Sequence, residues 1–407
     1  MKDTTQRSPG AVAKARANRR SFLKKSMAAG ALTMGAGMLT TGSAVFSDSD
    51  GDKDQSGRLN SGDAAILRFL AAAEILETDL WLQYQELGGL PDDEVSKEAA
   101  AQIPGYPAGT TGGNSAYTTD ISKLDGDMPT YIHDNTDDEL THETFINAYL
   151  ASKGASTVNL DAFRTLPSSQ ADGSNKGVGR LTNLTQLTLD TSWWTRYRSS
   201  TQNPDFGDTL ANVIPTLATG MHAAIPRTND DVMNSALLQA IANTAGFHFA
   251  TIEQGGSSLY PQLAQRVTSV EVLRILLSIG GTEIAHFQTW HDKAGNCPNV
   301  MVTDPVNNSL FKFDIQPLGP TQPPLPPQNP IFTTEDFQPN LIMPEPTEFL
   351  NASLPKVSII RPTETKNAAM GAVKFLMAEN LFLGQSASFF SMIQDLASDA
   401  DAAHRQG

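Results

Sequence analysis

Residues 269–293 read SVEVLRILLSIGGTEIAHFQTWHDK, and this stretch decides the fold. Apolar residues recur in it every three or four positions, which is the spacing of an amphipathic helix. Glu283 and His286 are three residues apart, so their side chains lie on one face of that helix, flanked by apolar residues. The stretch therefore predicts a helix that carries two polar side chains into an apolar interior.

A second segment repeats this spacing. Glu139 and His142 are also three residues apart, within a helix predicted over 137–153, and apolar residues follow the pair. An acidic run at 134–138 is expected at the start of this helix, where the helix dipole favours negative charge. Two helices are thus each predicted to present one carboxylate and one imidazole on a single face.

Two further predicted helices each place one glutamate among apolar residues. The helix over 64–87 contains Glu74, with Glu77 one turn later as the alternative inward-facing carboxylate. We favour Glu74 because large apolar residues share its face. The helix over 230–254 contains Glu253, which could instead be a solvated residue because two glycines weaken the turn that follows it.

The resulting chain order, Glu, Glu-x-x-His, Glu, Glu-x-x-His, resembles that of ferritin-like di-iron and di-manganese carboxylate proteins. The chain is similar to an exported ferritin-like domain protein, distantly related to ferritin and rubrerythrin. Residues 73–81 resemble the first-helix ligand segment of that family, 139–145 resemble the second, and 260–264 resemble the third helix of rubrerythrin. The resemblance implies a mainly α fold, namely a ferritin-like four-helix bundle with long loop insertions and an additional C-terminal helix.

Charge explains why such a set of residues needs metal. Four carboxylates in one apolar interior repel one another and are costly to desolvate, whereas two divalent cations cancel their charge. The resemblance implies two iron or manganese ions, with Glu139 and Glu283 as bridging ligands, Glu74 and Glu253 as terminal ligands and one histidine on each ion. The predicted ligand set is Glu74, Glu139, His142, Glu253, Glu283 and His286. A metal-free relic held by internal hydrogen bonds is the alternative.

The rest of the chain is assigned from turn signals and composition. Insertions are expected at 91–130 and 155–228 within a bundle over 64–295; the second holds two core candidates, Trp193 and Trp194. A proline-rich crossing segment is predicted over 296–363. One long helix over 366–399, within residues 364–407, is expected to pack on the bundle.

The first 47 residues differ in composition from all that follows. Residues 19–24, RRSFLK, precede a short Gly/Ala-rich apolar stretch, which resembles a twin-arginine signal peptide over 1–47. We therefore expect contact with the twin-arginine translocation machinery, a periplasmic or extracellular location, and no stable membrane span after cleavage. The net charge of −15 argues against a nucleic-acid partner, and a single cysteine allows no internal disulfide.

An acidic linker over 48–63 contains a second candidate metal site. Residues 52–63, DKDQSGRLNSGD, resemble an EF-hand calcium loop, with oxygen ligands at the expected positions and glycine at the sixth. The loop ends in Asp63 where such loops have glutamate, and no helix precedes it. The alternative is a linker whose Asp63 caps the first helix.

These features predict an oxidoreductase that reacts two bound metal ions with O₂ or peroxide, in the manner of a ferroxidase or peroxidase. A di-manganese catalase is the alternative within enzymes, and a non-catalytic stress or surface protein is the alternative outside them. The remaining polar candidates are expected to be structural or solvated. They are His133, His248 and His291, which are expected in the core or at the surface, and Asp137, Asp138 and Glu143, which are expected on a solvated face.

Overall fold

The computed structural model describes residues 57–90, 113–196, 209–315 and 367–405. These residues are mainly α-helical. Four long helices are α1 (Ser61–Gly88), α3 (Met128–Ser152), α6 (Ser235–Ala264) and α7 (Val270–Ala294). Shorter helices are α2 (Ser115–Ile121), α4 (Ser192–Arg196), α5 (Asn229–Met233), α8 (Ala368–Ala378) and α9 (Ala387–Asp401). The predicted signal peptide lies outside the described residues.

The long helices pack in two pairs, α1 along α3 and α6 along α7. The start of α1 is tied to the turn between α6 and α7. Asn60 caps α1 by accepting a hydrogen bond from the Asp63 backbone, and the Asp63 carboxylate accepts hydrogen bonds from the Thr268 and Ser269 backbone amides at 2.9 and 2.8 Å. Asn60, and not Asp63 as expected, is therefore the N-cap. Residues 52–56 of the candidate calcium loop lie outside the described residues.

Helix α3 begins earlier than the sequence predicts. It starts at Met128, with Pro129 in its first turn, so the acidic run at 134–138 lies inside the helix and not at its start. Proline is well tolerated in a first turn, where its missing N–H has no partner to lose. The insertion predicted as a loop over 91–130 likewise contains α2 and the start of α3, while residues 91–112 lie outside the described part.

Helix α6 continues past the two glycines at which the prediction ended it. It runs from Ser235 to Ala264 with Pro261 inside it, and nearly every side chain from Leu237 onward is buried. This packing outweighs the cost of about 1 kcal/mol for a glycine within a helix. The predicted start at 230 was also wrong, because a separate short helix, α5, precedes α6.

The second insertion packs against α1 through buried polar contacts. The Asp79 carboxylate accepts hydrogen bonds from the backbone amides of Leu181 and Thr182, each at 3.0 Å, and from Arg164 at 2.7 Å. Trp193 and Trp194 are buried, as predicted. This insertion is therefore held to the long helices by hydrogen bonds as well as by apolar packing.

The C-terminal part differs from the prediction in two places. A β-hairpin of β1 (Val300–Thr303) and β2 (Leu310–Phe313) lies in the first part of the proline-rich segment, whose residues 316–363 are outside the described part. The single helix predicted over 366–399 is two helices, because Asn380 and Gly384 adopt positive φ angles of 62° and 95°.

The two helices, α8 and α9, are called the C-terminal helix pair below. Helix α9 packs on α1 and on α8, and α8 contacts α6. Among the described helices, none has both the length and the apolar composition required to cross a membrane.

Candidate metal centre

The structure brings the six predicted ligands together in two overlapping groups. One group consists of Glu74, Glu139, His142 and Glu283, and the other consists of Glu139, Glu253, Glu283 and His286. Within each group the potential ligand atoms lie within 4.8 Å of one another. The four glutamates are at most 1% exposed. Glu139 and Glu283 are common to both groups, which is the position that the sequence prediction gave to bridging ligands.

The first group surrounds the Nδ1 atom of His142. This nitrogen lies 3.0 Å from Glu139 Oε2, 3.2 Å from Glu283 Oε1 and 3.4 Å from Glu74 Oε2. Ligand atoms bound at about 2.1 Å to one cation stand about 3.0 Å apart at neighbouring corners of an octahedron and about 3.4 Å apart in a tetrahedron. The three oxygens therefore lie at distances from His142 Nδ1 that a shared coordination shell would give, and all four ligand atoms lie within 4.8 Å of one another.

The second group surrounds the Nδ1 atom of His286. It lies 3.1 Å from Glu139 Oε1 and 3.3 Å from Glu253 Oε2. The two oxygens of Glu139 thus face different histidines, Oε2 facing His142 and Oε1 facing His286. The centres of the two imidazole rings are 6.5 Å apart. Glu139 therefore lies between the two imidazoles.

Several of these buried atoms have no hydrogen-bond partner. They are Glu74 Oε2, Glu253 Oε2, both carboxylate oxygens of Glu283, and His286 Nδ1. All but Glu283 Oε2 face an imidazole or carboxylate atom at 3.1–3.4 Å, without the geometry of a hydrogen bond. Leaving such groups buried and unsatisfied costs about 1–3 kcal/mol each, and more when they are charged. Carboxylates and imidazoles are the ligands that iron and manganese take in proteins. The residues present therefore fit a pair of divalent cations, which would satisfy the unpaired atoms together.

The pKa values in the cluster are shifted because several buried carboxylates lie close together. Burial, opposed by His142, raises the pKa of Glu74 to about 7, and burial together with Glu139 raises the pKa of Glu283 well above its ordinary value. Burial opposes ionisation of Glu139 as well, but the neighbouring imidazoles outweigh it and lower the pKa of Glu139. At His142 and His286, burial by itself lowers the pKa, but the facing carboxylates outweigh it and raise the pKa of both imidazoles. Without cations, the cluster balances its charge with protons.

Three polar residues that the sequence analysis did not assign to the site support it. Asn135 donates from Nδ2 to Glu139 Oε1 and to Glu253 Oε1, both at 2.9 Å, and its Oδ1 accepts from Trp290 Nε1 at 2.8 Å. Tyr260 donates its hydroxyl hydrogen to Glu74 Oε1. Asn135 precedes Glu139 by one helical turn, which is the signal that could have identified it.

Asp138 is the third of these residues, and its expected position on a solvated face was wrong. It is partly buried, and its Oδ2 lies 3.2 Å from His286 Nε2. A carboxylate on one ring nitrogen directs the other nitrogen toward a cation, as in many metal sites. Glu143, also expected to be solvated, is partly buried, and burial raises its pKa to about 7.

The remaining candidates lie outside both groups. Glu77 is absent from them, so the geometry favours Glu74 as the first-helix carboxylate. His248 is buried and hydrogen-bonded to the Tyr84 hydroxyl at 2.6 Å, and His133 Nδ1 lies 3.1 Å from Gln85 Nε2. His291 is buried beside the Trp193 and Trp194 rings. These three histidines have structural surroundings, as expected.

No family model, no curated protein and no solved structure matches this chain. Its chemistry must therefore be inferred from the cluster itself. Buried groups that could hold metal ions are present in a mainly helical protein, and they include four carboxylates and two imidazoles. Groups of this composition could hold a metal ion.

Proposed function

We propose that the four long helices form a ferritin-like bundle whose six clustered residues bind two divalent cations, and that the protein is an exported oxidoreductase acting on O₂ or peroxide. One observation carries the proposal most directly. Glu139 lies between the two histidines. Its Oε2 is 3.0 Å from His142 Nδ1, and its Oε1 is 3.1 Å from His286 Nδ1. A carboxylate placed in this way could bridge two cations, each of which would also be held by one imidazole.

The composition of the ligand set favours iron, with manganese next. Each group offers three carboxylates and one imidazole. Carboxylate-rich sites suit manganese, and the added imidazole suits iron, while the lack of cysteine in either group disfavours a structural zinc site. When bound, such ions supply electrons to O₂ or peroxide. Elemental analysis distinguishes iron from manganese and thereby a ferroxidase or peroxidase from a di-manganese catalase.

The chain's own residues hold the ligands in place. Asn135 hydrogen-bonds Glu139 and Glu253 together, which fixes carboxylates from α3 and α6 relative to each other. Asp138 orients the His286 ring, and the Tyr260 hydroxyl keeps Glu74 Oε1 hydrogen-bonded while leaving its other oxygen for a cation. These contacts fix the orientation of the predicted ligands.

Export is the part of the proposal that rests on the sequence alone. The segment RRSFLK at residues 19–24 supports passage through the twin-arginine route, which carries folded proteins. The cations would then be loaded before export. Replacing Arg19 and Arg20 together by lysine in the full chain should retain the protein in the cytoplasm, whereas replacing Lys14 and Lys25 by arginine, both outside the RRSFLK segment, should leave export intact.

Metal loading tests the central proposal. The protein is loaded with Fe²⁺ without oxygen, its metal content is measured, and O₂ is then admitted while near-ultraviolet absorption is recorded. We expect about two ions per chain and an absorption increase on oxidation. Glu283→Gln should lose at least one ion. Glu271→Gln is the matched control, because Glu271 lies on the same helix α7, is exposed, belongs to neither group, and pairs with Lys153 at 2.7 Å.

The proposal fails if folded wild-type protein retains neither iron nor manganese after loading. It also fails if Glu283→Gln and Glu271→Gln bind equal amounts of metal. Circular dichroism of both variants shows whether each has folded, so that loss of metal can be separated from loss of structure.

A further inference from the structure

A cavity of about 280 Å³ lies between α1, α6 and the C-terminal helix pair. Its wall is mostly apolar. Representative lining side chains are Phe69 and Leu80 from α1, Leu259 from α6, Phe375 from α8, and Phe382 from the turn after α8. A water molecule in such a space would find few hydrogen-bond partners, so the cavity favours apolar contents.

One side of the cavity is also the wall of the metal cluster. Glu74, Glu77 and Tyr260 line it, and Tyr260 hydrogen-bonds to Glu74. Gly256 lines it too, and a Cβ atom on Gly256 would come within 2.5 Å of Glu283 Oε2. Glu77 Oε1 is buried there without a hydrogen-bond partner. A molecule in the cavity would therefore contact the residues that hold the cluster.

The volume sets the size of this molecule. An apolar cavity of about 150 Å³ is large enough to bind benzene. The present cavity is nearly twice that volume, which corresponds to roughly two fused aromatic rings or a short aliphatic chain. Sugars, nucleotides and phosphates are excluded as ligands, because their polar groups would be unsatisfied against most of the wall.

We propose that this cavity binds a small apolar organic molecule, about two fused rings in size, against the wall formed by Glu74 and Tyr260. Binding needs only the apolar walls and does not require the cations. The further assignment of this molecule as the substrate of the metal centre rests on the proposed function. Its presence would exclude water from the side of the cluster where Glu74 lies.

Naphthalene is a suitable probe, and equilibrium dialysis against the full-length protein measures its binding. Metal-free protein and protein loaded with Co²⁺ are tested in parallel. Ala372→Phe and Gly371→Leu each place a larger side chain into the cavity from α8, and Gly371 has no heavy atom within 4 Å of its Cβ position. Ala378→Phe is the matched control, because Ala378 lies on the same helix but is exposed and does not line the cavity.

We expect wild type and Ala378→Phe to bind naphthalene equally, and both filled variants to bind it at least about tenfold more weakly. Absence of binding to wild type would overturn the inference, as would equal binding by all folded variants. Naphthalene binding without Co²⁺ binding would support the cavity and contradict the proposed function. Co²⁺ binding without naphthalene binding would support the proposed function and contradict the inference about the cavity.

Discussion

Two buried carboxylates on α1, Glu74 and Asp79, are both at most 1% exposed but have opposite surroundings. Asp79 is surrounded by donors: the Leu181 and Thr182 backbone amides, the Thr182 hydroxyl, Gln83 and Arg164 all hydrogen-bond to it. Glu74 lies in a group of acids, with one oxygen unpaired. The chain supplies the partners of Asp79 itself, whereas the group around Glu74 keeps buried oxygens that a cation could satisfy.

The difference separates an acid that is satisfied within the chain from a candidate metal ligand. Burial does not distinguish Glu74 from Asp79, because both side chains are inaccessible to solvent. Their positions on α1 do not distinguish them either, because they lie only five residues apart. The number of protein donors at each carboxylate does distinguish them. Substitutions at the Asp79 contacts should change mainly the free energy of unfolding. Substitutions in the cluster should change mainly the affinity for metal.

The largest effect is expected on stability at Asp79. Asp79→Ala leaves Arg164 and two backbone amides without their buried acceptor, which should lower the free energy of unfolding by about 3–5 kcal/mol. Urea unfolding of the metal-free protein measures this. Glu74→Gln is the comparison, because it removes a repelled charge and should cost far less. Equal losses for the two variants would show that the distinction between the regions is wrong.

The pH dependence of stability should reveal the acids of the cluster. Glu74 has its pKa raised to about 7 in the folded state, so the folded metal-free protein binds more protons than the unfolded chain between pH 4.5 and 7. Its stability should therefore fall as pH rises through this window, by about 1.4 kcal/mol per pH unit for each such group. Urea unfolding at several pH values measures the slope.

Metal loading should change that slope, because ligands bind cations only after losing their protons. The loaded protein is expected to gain stability over the same pH range. A metal-free protein whose stability is constant from pH 5 to 7, or rises, would contradict the raised pKa of Glu74.

A smaller effect is expected at Asn135, which contacts the cluster but is not a predicted ligand. Asn135→Ala frees Glu139 and Glu253 from their common donor and should weaken metal binding by about 10–100-fold. Titration with Co²⁺, followed by absorption, measures the affinity. Asn147→Ala is a control on the same helix, because Asn147 instead contacts the Val158 backbone. Identical affinities for the two variants would remove Asn135 from the site.

The smallest effect concerns two adjacent glycines of α6. Gly256→Ala would place a Cβ atom within 2.5 Å of Glu283 Oε2, whereas the same change at Gly255 meets no heavy atom within 4 Å. We expect Gly256→Ala to lower stability by about 1–2 kcal/mol and to weaken Co²⁺ binding. Gly255→Ala should raise stability slightly because alanine favours helices. Thermal unfolding of both variants, with and without metal, tests the pair, and the reverse ranking would contradict the close approach.

The local parts of this architecture could be predicted from the sequence. The mainly α fold is confirmed, and the central parts of the long helices were found because apolar spacing reports helical burial directly. The spacing of Glu139 from His142 and of Glu283 from His286 depends only on helix geometry. The structure brings these residues together with Glu74 and Glu253, while their role as metal ligands stays a prediction.

The parts that were missed depend on contacts between distant segments. In the sequence, Asn135 and Asp138 look like ordinary polar residues of α3. Their contacts with the cluster arise only because α6 and α7 pack beside them. The Asp79 contacts use backbone amides of Leu181 and Thr182, which any sequence supplies, so no residue type signals them. The helix end predicted at 254 was wrong because Gly256 makes room for Glu283 on another helix. Helix propensity, which disfavours glycine, does not include this packing requirement.

The order of the cavity's walls along the chain has a consequence for biosynthesis. All six cluster residues lie before residue 290, whereas α8 and α9 begin only at residue 368. During synthesis the cluster residues are therefore made before the cavity has the wall that the C-terminal helix pair supplies. On the proposed function, metal ions could enter from that side before the C-terminal helix pair encloses the cluster.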